Sequence, residues 1–221
     1  MNRGAFLFLG AFSILAFSWT GLVVTNQITT GQLVSHFDEA EAAVYPAGIP
    51  GVVERGRAVY RDLGCVECHT QQVRRPGFGA DQERGWGERL SVARDYLWEN
   101  PVLLGSVRIG PDLRNVGARR DDPNWHYLHL FDPRLVVEGS TMPSYRFLFD
   151  QRRIVGQPSA EALSLPAPYS VRDGYEVVPT ERARSLVAYL TSLKDTYAYP
   201  ETENVFKPAE AEGEATTEGA H

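Results

Sequence analysis

The chain has 221 residues, 43% of them hydrophobic, which is enough for one domain of ordinary size with appendages rather than two full domains. A net charge of −6 and a sequence pI of about 5.4 exclude the basic field that nucleic-acid binding depends on, so no nucleic acid is expected as a partner. Two cysteines exclude a disulfide framework and an all-thiolate zinc site within one chain.

The run "GAFLFLGAFSILAFSWTGLVV", Gly4 to Val24, is 21 residues without a charge. At about 1.5 Å per residue it spans roughly 30 Å, the thickness of a bilayer core. Residues 1–25 are therefore read as an uncleaved transmembrane anchor in contact with membrane lipid. A cleaved signal peptide fits less well: the run exceeds an h-region of roughly 7–15 residues, and the "TNQITTGQL" that follows offers no small-x-small cleavage site. Arg3 precedes the span, and the first ionisable residues after it are His36, Asp38, Glu39 and Glu41. The positive-inside rule then puts the N-terminus in the cytoplasm and nearly everything after Val24 outside it. Gly4, Ala11 and Ser18 recur every seven residues, as small residues commonly do in transmembrane helices.

Residues 26–50, ending in "YPAGIP", read as a connector. A domain over residues 51–196 follows. At its start, Val52, Val53, Gly56, Val59, Tyr60 and Leu63 fall at helical spacing, with Gly64 as the terminator. The stretch from Arg74 to Gly117 is crowded with Gly, Pro and Arg and is expected to be loop-rich, with a short helix at "SVARDYLWEN". A second short helix is expected over "PNWHYLHLFDP". Residues 150–179, broken by Pro158, Pro166, Pro168 and Pro179, are expected to be irregular. Thr180 then caps "ERARSLVAYLTSLK", whose Ala183, Leu186, Val187, Leu190 and Leu193 form one apolar stripe. Residues 197–221, with six glutamates against one lysine, read as a solvated, disordered tail.

Both cysteines lie in "CVECH", Cys65 to His69. Three chemistries use Cys-x-x-Cys. A thioredoxin-like motif sits at the start of a helix after a strand, whereas here the motif follows a helix. A zinc site needs two more ligands, for which His126 and His129 are candidates, although their spacing beside Trp125, Leu128 and Leu130 favours a structural role. Covalent haem c uses all three residues, Cys65 and Cys68 as thioether attachment points and His69 as an iron ligand. That reading asks for a second axial ligand. Met142, in "STMPSY", is the one methionine besides the initiator. In "RIGPDLRNVG" the Pro111 carbonyl is placed to accept a hydrogen bond from the free nitrogen of His69, an arrangement conditional on the haem reading. His36 in the connector and His221 in the tail are expected to play no part.

The uncharged span, "RAVYRDLGCVECHTQQVRRP", "ENPVLLGSVRIGPDLRNVGAR", "WHYLHLFDPRLVVEGSTMPSY" and "LVAYLTSLK" together resemble subunit II of cbb(3)-type cytochrome c oxidases, the membrane-anchored monohaem subunit of the CcoO/FixO family. The resemblance reaches to about Lys194. It implies an all-α fold: one N-terminal transmembrane helix plus a class I-like cytochrome c domain with long loop insertions, in which Gly56 and Tyr60 pack near Leu186 and Tyr189. It also implies one covalently bound haem c on Cys65 and Cys68, with His69 and Met142 as axial ligands. The implied task is relaying electrons from a dihaem cytochrome c subunit or a soluble cytochrome c to a catalytic subunit holding haem b and the haem–copper centre, where oxygen is reduced and protons are pumped. The implied location is the bacterial inner membrane, with the haem domain on the periplasmic side. The chain departs from the family pattern at Arg74-Arg75-Pro76 and at Leu104, Val107 and Ile109. Two other readings are the cytochrome c subunit of a nitric oxide reductase, which would lack the long insertion between His69 and Met142, and an anchored zinc or thiol-redox assembly protein.

Overall fold

The structure, a computed structural model, describes residues 3–203. The acidic tail expected over 197–221 therefore lies mostly outside the described residues. The chain divides into two compact units, one comprising the residues up to Ala47 together with Val92–Glu99, the other Gly48–Ser91 and the residues from Asn100 onward.

In the first unit, helix α1 runs without a break over Gly4–Thr30, through a π-helical stretch at Thr20–Val24. None of its residues is buried in the protein, and its most apolar 18-residue window has a mean hydropathy of 2.0. The helix extends past the uncharged run because "TNQITT" keeps its backbone bonded, with the Thr29 and Thr30 hydroxyls folding back onto carbonyls one turn earlier. The region read as a connector contains an antiparallel pair, β1 (His36–Asp38) and β2 (Ala43–Tyr45), joined by a turn in which Asp38 accepts from the Ala40 and Glu41 amides. The expected helix in "SVARDYLWEN" is a short 3₁₀ turn, Ala93–Tyr96. It belongs to this unit: the Trp98 indole donates to the Pro46 carbonyl at 3.1 Å, and Arg94 donates to the Val34 carbonyl.

The second unit is built on three longer helices, with single turns of helix at Val116–Arg119 and Pro200–Glu203. Helix α2 (Gly51–Asp62) buries Gly56, Val59 and Tyr60, the face that the sequence spacing assigns to the core, and ends before Gly64. Helix α3 (Pro123–Phe131) starts from Asp122, which accepts from the Asn124 amide at 2.9 Å. Helix α4 (Glu181–Ser192) is capped by Thr180 and buries Ala183, Leu186, Val187 and Leu190. Helices α2 and α4 cross where Gly56 meets Ser185. A Cβ on Gly56 would lie 1.8 Å from the Ser185 carbonyl oxygen, so the backbones approach only because a hydrogen stands there. One turn on, Tyr60 and Tyr189 pack edge to face with centroids 5.4 Å apart.

Helix predominates, but the all-α expectation leaves out the two two-stranded sheets, and residues 150–179 are not wholly irregular. Strand β3 (Phe149–Arg153) pairs antiparallel with β4 (Tyr175–Pro179), Arg152 facing Glu176 across the ladder with an ion pair at 2.8 Å. "FDQRR" shows no apolar alternation because only Phe149 on it is buried, and its partner lies beyond the intervening residues 154–174. Packing continues past Asp195: Tyr199 is buried, under the Arg89 guanidinium, and Arg89 donates to the Tyr197 carbonyl at 2.6 Å.

Candidate functional site

A cavity of about 840 Å³ opens within the second unit. Its apolar wall is the core itself, with Tyr60, Leu113, Val116, Leu130, Leu186 and Leu190. Every residue singled out from the sequence lines it: Cys65, Cys68, His69, Pro111 and Met142. The fold thus brings together residues 77 positions apart in the chain (142 − 65).

Cys65 opens a 3₁₀ turn, Cys65–Glu67, and Cys68 follows it; the turn comes just after α2, across Leu63 and the left-handed Gly64. Neither is in a disulfide. Burial pushes the Cys65 thiol up to about 12. Such a thiol is protonated at neutral pH, the opposite of the low-pKa nucleophile that disulfide exchange uses. His69 is held at Nδ1, 2.8 Å from the Pro111 carbonyl oxygen, which leaves Nε2 as the nitrogen Pro111 does not engage. The loop comes this close because residue 110 is glycine: a Cβ there would lie 2.2 Å from His69 Cε1. Burial lowers the His69 pKa against the raising effects of the Pro111 carbonyl and Asp112, so the ring is neutral near pH 7, as a metal ligand must be.

Met142 is half-buried and packs on the core. Its loop hangs on Asp132, which is 1% exposed and accepts from the Tyr169 hydroxyl at 2.9 Å and from Arg134 and Arg146. Arg134 reaches on to the Ser144 hydroxyl at 2.8 Å, tying the hub to the far side of Met142. Burial would raise the Asp132 pKa, but the hydrogen bonds from Arg146, Tyr169 and the Arg134 amide outweigh it and hold the carboxyl at about 2.

The polar side of the cavity carries Arg84, Arg119, Arg120, Trp125, His126 and His129. The two histidines are packed, as their neighbours suggest. His126 Nε2 lies 2.8 Å from the Arg120 carbonyl, and His129 stacks on Trp125 with centroids 4.7 Å apart. Burial, with smaller effects from His126 and His69, lowers His129 to about 4. His129 Nδ1 and Arg119 Nε are buried without a protein hydrogen-bond partner. Among the described residues no group of three or more His, Cys, Asp or Glu side chains is arranged to hold a metal ion. His36 lies in the first unit, and His221 lies outside the described residues.

Sequence reasoning missed the polar network around the site, buried Thr70, Asp81, Asp112 and Asp132 with half-buried Arg108. The signal in the sequence was slight, since each reads alone as an ordinary loop residue. Their roles depend on partners up to 42 positions away.

A family model described as "Cytochrome C oxidase, mono-heme subunit/FixO" matches residues 5–176. No curated protein matches the chain. The matched span takes in the apolar helix, the Cys65–His69 motif, the Pro111 loop and Met142, and so the chain belongs to the monohaem FixO family of cytochrome c oxidase subunits.

Proposed function

We propose that this chain binds one haem c, attached through Cys65 and Cys68 and ligated by His69 and Met142, and that it relays electrons to the catalytic subunit of a cbb(3)-type haem–copper oxidase. The observation that carries the reading is the shared cavity, in which two thiols, an oriented neutral imidazole and the one internal methionine meet. The residues fit the group. The volume of about 840 Å³ is that of a cofactor pocket, the wall is mostly apolar, and the buried unpartnered nitrogens of Arg119 and His129 offer donors to carboxylates such as a haem carries. When bound, a haem with these ligands supplies a reversible one-electron couple, whose potential a thioether ligand raises.

The chain's own part is holding and insulating. Pro111 fixes the His69 tautomer, with the proton on Nδ1 and the lone pair on Nε2. The core residues exclude water from the apolar wall. The chain would then be a relay within an oxidase whose catalytic centre belongs to another subunit. The proposed plan is a membrane anchor over residues 1–25 followed by an extracytoplasmic cytochrome c domain of class I type, and the close approach of Gly56 on α2 to α4 supports it. Electrons would arrive from a dihaem cytochrome c subunit or a soluble cytochrome c.

Two measurements test this. The full chain, expressed with haem maturation and purified, should give the pyridine haemochrome spectrum of one covalent haem c, and Cys65→Ala with Cys68→Ala should abolish it. No covalent haem in the unsubstituted chain would end the cytochrome reading and leave the thiol or zinc protein. Co-purification should bring down a membrane subunit with b-type haem and copper; b-type haem with non-haem iron would point instead to a nitric oxide reductase.

A further inference from the structure

The Pro111 carbonyl that orients His69 sits in a loop without regular secondary structure, so something other than a helix or sheet must fix it. Two backbone bonds bracket it. The Gly110 amide donates to the Cys68 carbonyl at 3.0 Å and the Leu113 amide to the Thr70 carbonyl at 2.8 Å. A buried side-chain cluster closes the arrangement. Asp112, fully buried, accepts at Oδ2 from the Thr70 hydroxyl at 2.6 Å and the Gln72 amide at 2.7 Å, and at Oδ1 from the Arg114 amide at 2.9 Å. Arg108 Nε donates to the Thr70 hydroxyl at 2.7 Å, while its Nη2 donates to the Gln72 carbonyl at 2.7 Å and lies 3.5 Å from Asp112. The remaining arm of Arg108 pairs with Asp81, which Arg74 also reaches.

Thr70 is the pivot. Its hydroxyl donates to Asp112 and accepts from Arg108 at once, a double role that Ser or Thr fills and an apolar isostere cannot. Thr70 follows His69 in the chain and Asp112 follows Pro111. The cluster therefore clamps the residues next to both ends of the His69–Pro111 hydrogen bond. A carboxylate buried this deeply is costly unless several donors satisfy it, and here they do.

We propose that Thr70, Arg108 and Asp112 are positioning residues that act through the Pro111 carbonyl to set the orientation and donor strength of His69 as an iron ligand. This rests on the haem reading above and deepens it. A firm hydrogen bond from Nδ1–H makes the imidazole a stronger donor and favours ferric over ferrous iron. Loosening the clamp weakens that bond and favours the ferrous form.

The test uses the full chain, matured with haem and purified in detergent, as Thr70→Val, Thr70→Ser and Arg108→Lys. Thr70→Val removes the pivot without changing any charge. It should shift the redox equilibrium toward ferrous haem by about three- to tenfold, where tenfold is about 59 mV for one electron. It should also speed deuterium exchange of the His69 Nδ1 proton, read by NMR, about fivefold, as expected for a weakened hydrogen bond. Thr70→Ser should restore both. Arg108→Lys keeps the charge beside Asp81 but loses the fork onto Thr70 and Gln72, and should move both readouts in the direction of Thr70→Val. Lower thermal stability with unchanged potential and exchange in Thr70→Val or Arg108→Lys would reduce the cluster to a structural hub and overturn the proposal. Absence of covalent haem in the unsubstituted chain would overturn the parent reading, and this one with it.

Discussion

Met142 shares its cavity with the histidine pair His126 and His129, and a substitution tests which of them would ligate a haem iron. Met142→Ala should leave the haem covalently attached while lowering its potential and removing the weak red absorption that sulfur ligation gives. An unchanged visible spectrum would transfer the role to a histidine, with His129, whose Nδ1 has no protein partner, the first to examine. A second expectation at this scale concerns acid. Asp81 and Asp132 are both held at about 2, hydrogen bonds from Arg108 and Arg74 in one case and from Arg146 and Tyr169 in the other outweighing the raising effect of burial. A carboxyl whose folded pKa lies below its unfolded value of about 3.9 contributes stability in full above the unfolded value and loses it as pH falls through the folded one. The melting temperature should therefore fall between about pH 4 and pH 2, and Asp132→Asn should remove part of that dependence; an equal acid slope in the variant would count against the hub. Cys65, Cys68 and His69 were legible because the covalent attachment proposed for them demands a fixed spacing in the sequence. The hubs were not, because Asp81 is defined by Arg108 and Asp112 by Thr70, contacts that exist only after folding.

At the scale of elements, the packing of α2 on α4 depends on one missing side chain. A Cβ at position 56 would meet the Ser185 backbone at 1.8 Å and the Tyr189 Cβ at 2.7 Å, and backbone cannot rotate away as a side chain can. Gly56→Ala should therefore destabilise the protein by about 3 kcal/mol, the upper end for overpacking, despite the better helix propensity of alanine. Urea denaturation followed by tryptophan fluorescence measures it, and a loss under about 1 kcal/mol would mean that the helices shift apart freely. Because α2 leads into Cys65 and α4 lines the cavity with Leu186 and Leu190, any such shift also moves the site wall. Helices α2 and α4 were readable from apolar spacing, α4 also from its Thr180 cap, whereas the Asp122 cap of α3 emerges only in the structure. The β3–β4 pair was not, since its strands are short, one carries charge along its exposed residues, and their register is set across a twenty-one-residue excursion from 154 to 174.

At the scale of the whole molecule, α1 is a helix with no buried residue among those described. Phe6, Phe8, Phe17 and Trp19 are between 64% and 81% exposed, and the apolar residues surround the helix rather than forming one stripe. A helix apolar all round must be buried in something other than water. At about 1.5 Å per residue, the 27 residues of Gly4–Thr30 measure roughly 40 Å, enough to cross a hydrocarbon core of about 30 Å with a turn or two outside it. The second unit carries its own core, cavity and caps, so the proposed haem site is expected to form without this helix. Replacing residues 2–30 with a cleavable secretory signal peptide should therefore move the chain from the carbonate-washed membrane pellet to the supernatant with its haem spectrum unchanged. A chain so altered that still pellets would place the membrane attachment elsewhere. Orientation is a separate question, resting on Arg3 before the span and Asp38, Glu39 and Glu41 after it. A C-terminal alkaline phosphatase fusion to the full chain should be active, because that enzyme matures only outside the cytoplasm. An inactive phosphatase fusion would invert the topology and, with it, deny the cysteines the compartment in which haem c is attached.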